Sequence, residues 1–320
     1  MTATTLPGLS PHLEAVASTM AAALASAEPR VSGLIDGLGP FHGKLLRPSL
    51  CLLVAGTLGE PDRRHHALGA ALELIHTATL VHDDLIDDAD TRRGRTTAHV
   101  RHGNTTAVLL GDFLYTRAFT LVASLGDLEM VSRLCAGTNT VCEGELHQQM
   151  VARDADLSED EYRRIIYGKT AALTELAGFF GALTGNDAQR RAAAAFGRDL
   201  GMAFQIVDDC LDVSGDAQKV GKTLATDLER GRVTLPLIRV LAASSAAERD
   251  RLEAQLLRAS GAEQVETARR ILIDRGGVAS SLGTARELVA SAKQHLSRLP
   301  DTSARTQLAE LADFVVARDF

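Results

Sequence analysis

The sequence predicts an all-α fold: a single large bundle of long antiparallel helices around a central cavity. Three observations carry that prediction. Ala, Leu, Arg and Glu abound, Trp is absent, and aromatic residues make up only 4% of the chain, a composition that favours helix. No segment alternates apolar and polar residues with a period of two for any length. The eight prolines fall mostly near the ends of helix-periodic segments, as in "GPFHGKLLRPSL" and "RVTLPLIRV". No low-complexity linker divides the 320 residues, so one domain spanning 1–320 is expected.

Apolar spacing places helices over 10–27, 46–59, 63–88, 104–123, 127–152, 158–184, 188–213, 232–242, 246–258, 262–275, 277–297 and 303–317. The stretches 15–27 and 188–196 are Ala-rich, which suits helix and close packing and calls for no chemistry. Pro48 stands at the start of the second segment, and the third runs through the apolar "TATLV" into a block of charge. Gly185-Asn186 and Gly215-Asp216 read as the turns that end 158–184 and 188–213. Pro236 lies near the start of 232–242, and the last four segments rest on their apolar period alone.

A net charge of −7, with 45% hydrophobic and 23% charged residues, is ordinary for a globular chain. No basic stripe is present, which argues against nucleic acid as a partner. A polyanionic ligand must therefore be held locally. Cys51, Cys135, Cys142 and Cys210 lack CxxC spacing and sit in apolar stretches, so buried free thiols in a reducing cytosol are expected. The N-terminal stretch lacks the pattern of a secretory or transit signal, and no uninterrupted apolar run is long enough to suggest a transmembrane segment. The expected location is cytoplasmic.

Chemistry concentrates in two acidic clusters. Asp83, Asp84 and Asp87 form D-D-x-x-D, and Asp208, Asp209 and Asp212 repeat it about 125 residues later. On a helix, positions i and i+4 share a face, so Asp83 points with Asp87 and Asp208 with Asp212. Like charges at that spacing destabilise a helix, and both triads follow apolar runs. Something positive must neutralise them. Mg²⁺ suits the task because it prefers oxygen ligands and is commonly shared between one or two carboxylates and substrate phosphates. Arg92, Arg93 and Arg95 follow the first triad. Arg92 and Arg93 read as anion binders, since guanidinium matches phosphate geometry. Arg95 reads better as an ion-pair partner of Asp88 and Asp90.

These residues resemble those of the trans-isoprenyl diphosphate synthases, or polyprenyl synthetases. The likeness rests on "HDDLIDDADTRRG" and "FQIVDDCLDVSGD", and extends in order to "GKLLRP", "ELIHTATLVHDD", "GDFLYTRAF", "GELHQ", "YGKTAAL" and "GKTLATDLERGRVTLP". It implies the isoprenoid synthase type of helical bundle. It further implies that Asp83 and Asp87 coordinate Mg²⁺ with Asp84 in support, and Asp208 and Asp212 with Asp209 in support, about three ions per site with substrate bound. Arg92, Lys169, Thr170, Gln205 and Lys222 would contact an allylic diphosphate, with Lys169 among the catalytic residues. Lys44, Arg47, His76 and Arg93 would hold isopentenyl diphosphate. A homodimer through helices around 104–152 is implied as well. The chain departs from the family pattern at Leu45, Ala225 and Arg232, where a cation, a glycine and a lysine are usual.

The implied reaction is ionisation of the allylic diphosphate, attack by the double bond of isopentenyl diphosphate, and loss of a proton. No Ser/His/Asp or Cys/His arrangement competes with it. Product length would be set one turn and more before Asp83, at Thr79 and Ala78, then Ile75 and Leu74. A turn advances about 5.4 Å, comparable to one isoprene unit. The first two are small, and no aromatic stands between 67 and 82. Because short-chain members of the family it resembles tend to carry bulky residues here, the resemblance implies a linear product of about thirty carbons or more. Geranylgeranyl diphosphate remains an alternative product. A class I terpene cyclase and a non-catalytic synthase subunit are alternatives of other kinds. A cyclase would not need the isopentenyl diphosphate contacts, and a non-catalytic subunit would be expected to have lost one triad.

Overall fold

A computed structural model of the chain describes residues 8–38, 45–92, 94–215, 226–259 and 261–317. These are almost entirely helical. In order they form α1 (Ser10–Leu24), α2 (Pro29–Leu38), α3 (Leu46–Leu58), α4 (Arg63–Ile86), α5 (Ala98–His102), α6 (Asn104–Ala123), α7 (Leu128–Met150) and α8 (Glu159–Ile166). A π-helical turn, Tyr167–Ala171, leads into α9 (Ala172–Gly181), α10 (Asp187–Ser214), α11 (Thr226–Glu229), α12 (Leu235–Ala242), α13 (Ala246–Leu257) and α14 (Ala262–Asp274). Then come α15 (Gly277–His295), a 3₁₀ turn at Leu296–Arg298, and α16 (Ser303–Val316). A two-residue hairpin, β1 (Thr91–Arg92) and β2 (Arg95–Thr96), pairs Thr91 with Thr96 and Arg92 with Arg95. Gly94 supplies the positive φ of +73° at its turn.

The chain resolves into two compact units. One holds Met1–Thr138, Leu176–Ala194 and Ser297–Leu308; the other holds Asn139–Glu175, Ala195–Leu296 and Ala309–Phe320.

The first unit is organised on α4, which packs against α1, α3 and α6. Its start is fixed by Asp62, whose carboxylate accepts the backbone N–H groups of Arg64 and His65 while His65 Nδ1 meets the Asp62 backbone N–H at 3.1 Å. That reciprocal cap satisfies donors the helix cannot satisfy itself. Beyond it, Leu68, Leu72, Leu74 and Ile75 are fully buried, as are Leu50 of α3, Met20 of α1 and Leu114 of α6. Each such side chain contributes roughly 1.5–3 kcal/mol of burial.

In the second unit, α8 opens on another reciprocal cap, Ser158 with Glu161. The expected helix 158–184 runs without a break over Glu159–Gly181, but it is not uniform: the wider π-helical turn Tyr167–Ala171 is set into it. The helix expected over 232–242 begins only at Leu235. Thr234 is extended (φ −105°, ψ 166°), and Pro236 sits in the first turn, where its missing N–H costs nothing. The short α2, α5 and α11 fall outside the expected helices; α5 and α11 are too brief to show a period, whereas α2 carries one at Val31, Leu34, Ile35 and Leu38.

The cysteines divide. Cys51 and Cys210 are buried thiols, as expected, but Cys135 and Cys142 are exposed. The buried stripe of α7 includes Leu134 and Val141. Cys135 and Cys142 each follow one of these by a single residue, about 100° around the helix, and so turn outward. Among the described residues only α6 is long and apolar enough to cross a membrane by length and composition. It contains Asp112 and Arg117 and packs along α4.

Candidate active site

Both aspartate triads lie at helix C-termini, where the unpaired carbonyls already carry partial negative charge. Asp83 and Asp84 fall in the last turn of α4, and Asp87 is its C-cap. Asp208, Asp209 and Asp212 occupy the last two turns of α10. A carboxylate there opposes the helix dipole as well as its neighbours, so the need for cations is sharper than sequence spacing alone suggests.

In the first unit, Asp83 and Asp87 are half-buried while Asp84 is buried, 6% exposed. Asp84 accepts from Arg92 Nε at 2.5 Å. Burial pushes the Asp84 carboxyl up, and the Arg92 charge only partly offsets this. Arg92, expected to meet a diphosphate, is thus anchored beside the triad. Arg95 lies on the exposed strand β2 and pairs with neither Asp88 nor Asp90 among the described residues, against expectation. The tight hairpin turns it outward, and Asp88 faces His99 Nε2 at 3.8 Å instead. His76 is half-buried, two turns before Asp83. Arg47 is buried, and its Nε meets no hydrogen-bond partner among the described residues. Burial draws its guanidinium below the ordinary range, with the charge of Glu73 opposing. Lys44, Arg93, Lys222 and Ala225 lie outside the described residues; Leu45 holds a left-handed φ of 44° just before α3.

Among the chain-length positions, Leu74, Ile75 and Ala78 are fully buried. Thr79 is half-buried, one turn before Asp83 on the same face, and its hydroxyl donates to the His76 carbonyl at 2.8 Å.

In the second unit the π-helical turn carries Lys169 and Thr170. Such turns, rare in proteins, concentrate at functional sites. This one is held by a glycine pair. A Cβ on Gly144 would lie 2.7 Å from the Lys169 backbone N, and one on Gly168 would lie 2.8 Å from Gly144 Cα and from the Thr140 carbonyl. Backbone therefore rests on backbone just where Lys169 is presented. Lys169 Nζ donates to Gln148 Oε1 at 2.9 Å and lies beside Glu145. Thr170 donates to Gln205 Oε1 at 2.6 Å, and Gln205 Nε2 donates to Asp209 Oδ1 at 2.7 Å. Tyr162 donates to Asp209 Oδ2 at 2.6 Å. Asp212 accepts the backbone N–H groups of Thr226 and Asp227 and the Thr226 hydroxyl, capping α11. Arg232, in the place of the usual lysine, pairs with Asp227 at 3.2 Å. Burial first, and the charge of Asp227 second, push the carboxyls of Asp209 and Asp212 upward.

Sequence reasoning missed Tyr162, Glu145, Gln148 and Asp227. The last three lie inside quoted motifs; Tyr162 had only its place as a polar-tipped aromatic in a helical stretch.

The donor set fits magnesium. It is all oxygen, and among the described residues no three or more His, Cys, Asp or Glu side chains group so as to hold a metal ion by themselves. Magnesium held by one or two carboxylates, waters and substrate phosphates needs no such cage.

A helical chain with two D-D-x-x-D triads and a lysine–threonine–glutamine group has the make-up of enzymes that act on prenyl diphosphates. It belongs to the polyprenyl synthetase family, whose sequence profile matches residues 30–272, and is a prenyltransferase. An octaprenyl diphosphate synthase of Haemophilus influenzae is 36% identical over 312 residues, covering 97% of this chain and 95% of that protein. The crystal structure of a decaprenyl diphosphate synthase from Rhodobacter capsulatus matches with a TM-score of 0.91 and 34% identity, over 97% of both chains. A polyprenyl synthase from Caulobacter crescentus, complexed with calcium and isoprenyl diphosphate, matches with a TM-score of 0.91 and 33% identity, over 97% of this chain and 95% of that one.

Proposed function

We propose that the protein condenses isopentenyl diphosphate with an allylic diphosphate, using Mg²⁺, and releases a linear trans-polyprenyl diphosphate of about thirty carbons or more. The observation that carries the reading is the placement of both aspartate triads at helix C-termini in a member of this family. Asp83 and Asp87 in one unit, and Asp208 and Asp212 in the other, are the Mg²⁺ ligands. When bound, the metal supplies Lewis-acid stabilisation of the departing pyrophosphate. Lys169, Thr170, Gln205, Arg92 and Lys222 hold the allylic diphosphate and stabilise charge developing on it. Lys44, Arg47, His76 and Arg93 hold isopentenyl diphosphate. The reaction requires that water be kept from the carbocation, which it would otherwise trap as an alcohol.

Product length rests on two supports. No Phe, Tyr or Trp precedes Asp83 on α4, and Thr79 is half-buried one turn back. The octaprenyl and decaprenyl synthases named above are similar along nearly the whole chain. The reading includes a homodimer, supported by exposed apolar residues on α6 (Val108, Leu109) and α7 (Leu128, Leu146, Met150). It also includes a cytoplasmic location.

Radiolabelled isopentenyl diphosphate, farnesyl diphosphate and Mg²⁺ test the reading, with products identified by mass spectrometry. Label in chains of about thirty carbons or more is expected. Label confined to geranylgeranyl diphosphate would overturn the product length, and no incorporation would overturn chain elongation.

A further inference from the structure

Asp209 is the most deeply placed member of its triad, 5% exposed, and both its oxygens are engaged from within its own unit. Gln205, one turn earlier on α10, donates to Oδ1 at 2.7 Å. Tyr162, from α8, donates to Oδ2 at 2.6 Å. Tyr162 is itself only 2% exposed, so its hydroxyl is cut off from bulk solvent. Gln205 is fixed in turn, because its carbonyl accepts from Thr170 at 2.6 Å and its amide can face Asp209 only one way round. The four side chains form one line, Tyr162 to Asp209, then Gln205 to Asp209, then Thr170 to Gln205. Tyr162, Gln205 and Asp209 also line a small cavity together with Arg232.

We propose that Tyr162 is a positioning residue for the second aspartate triad: with Gln205 it clasps the Asp209 carboxylate and so fixes the orientation of Asp208 and Asp212 for cation binding. The inference rests on the reading that those two aspartates hold Mg²⁺. The physical reason lies in the neighbourhood. Asp209 adjoins Asp208 in sequence and precedes Asp212 by three residues, on one turn of helix. A side chain released from Tyr162 can turn toward either neighbour and crowd it. Held by two donors, the Asp209 oxygens stay turned toward Tyr162 and Gln205. Hydrogen-bond partners that orient metal ligands typically matter by 10–100-fold in metal affinity.

Tyr162→Phe removes the hydroxyl and keeps the ring in place. The test is a Mg²⁺ titration read in two ways: turnover, and thermal stabilisation of the protein by Mg²⁺ with inorganic pyrophosphate in the absence of substrate. The expected result is a half-saturating Mg²⁺ concentration raised about tenfold or more in both readings, with the KM for isopentenyl diphosphate unchanged. Wild-type Mg²⁺ dependence in Tyr162→Phe, with only a lowered melting temperature, would overturn the inference and leave Tyr162 a core residue. Should the wild-type protein itself show neither incorporation nor stabilisation by Mg²⁺ and pyrophosphate, the functional reading would fail instead. If Tyr162→Phe does not fold, Tyr162→Met tests the same clasp, since it also removes the hydroxyl while filling the site with an apolar side chain. The same rise in Mg²⁺ requirement is expected, and an unchanged requirement overturns the inference.

Discussion

Lys169 Nζ stands 3.2 Å from Oε1 of Glu145, an ion pair in which both side chains are less than one-fifth exposed. Gln148, one turn further along the same helix α7, accepts from the same ammonium at 2.9 Å, so the lysine side chain is tied to α7. On the function proposed above, a lysine ordered in this way would meet an incoming diphosphate without first losing its freedom, the general advantage of a preorganised cation. Lys169→Ala should lower turnover by about two to three powers of ten, with far-UV circular dichroism unchanged. Steady-state kinetics would check it, and near-normal turnover would remove Lys169 from the diphosphate site.

Single substitutions in each triad test the metal assignment. Asp83→Ala and Asp208→Ala should each nearly abolish turnover while the protein stays folded. Removing a like charge from a helix C-terminus should, if anything, raise the melting temperature. Loss of activity accompanied by unfolding, or full activity in either variant, would contradict the assignment.

The two small residues before Asp83 are not equivalent. Ala78 is fully buried, so a phenylalanine there overpacks the core, at about 1–3 kcal/mol. Thr79 is half-open on the Asp83 face. Thr79→Phe should therefore shorten the product with little loss of stability, and mass spectrometry of the chains formed would reveal it. An unaltered chain distribution would mean that the growing tail takes another route.

The cap of α4 has its own signature in acid. Burial tends to raise the Asp62 carboxyl, but hydrogen bonds from Arg64 and His65 and the nearby His65 outweigh it and hold it at about 2, below the usual 3.8. A depressed folded value means that stability is fully present above 3.8 and is lost as pH falls through about 2. Asp62 is well exposed, so solvent screens the ion-pair part. Asp62→Ala should cost about 1 kcal/mol at neutral pH. The gap to wild type should close as the medium is acidified toward that range, as followed by denaturant unfolding at a series of pH values. A constant gap would mean that the carboxylate charge plays no part in the cap.

How much of this was legible beforehand depends on how local the cause is. Spacing put Asp83 with Asp87 and Asp208 with Asp212, because one helical turn is a property of sequence alone. The long helices came within a few residues for the same reason. Pro236 marked a boundary but not its side, since whether residues 232–234 continue a helix depends on what they pack against. Cys135 and Cys142 looked buried because their neighbours are apolar, yet a single step around α7 separates them from Leu134 and Val141. The bond from Tyr162 to Asp209 joins residues 47 positions apart, and no pattern in the chain announces a partner at that range. The hold of Glu145 and Gln148 on Lys169 was hidden likewise, although the motifs containing all three were visible.

The crossing of Gly144 and Gly168 has a consequence for how this enzyme can vary. Most tight contacts in a protein interior tolerate a larger residue on one side if the opposite one shrinks. Here both sides are already the smallest amino acid, and the opposing atoms belong to the main chain. No compensating replacement exists for either position. The pair is an evolutionary dead end that can be kept or lost but not exchanged.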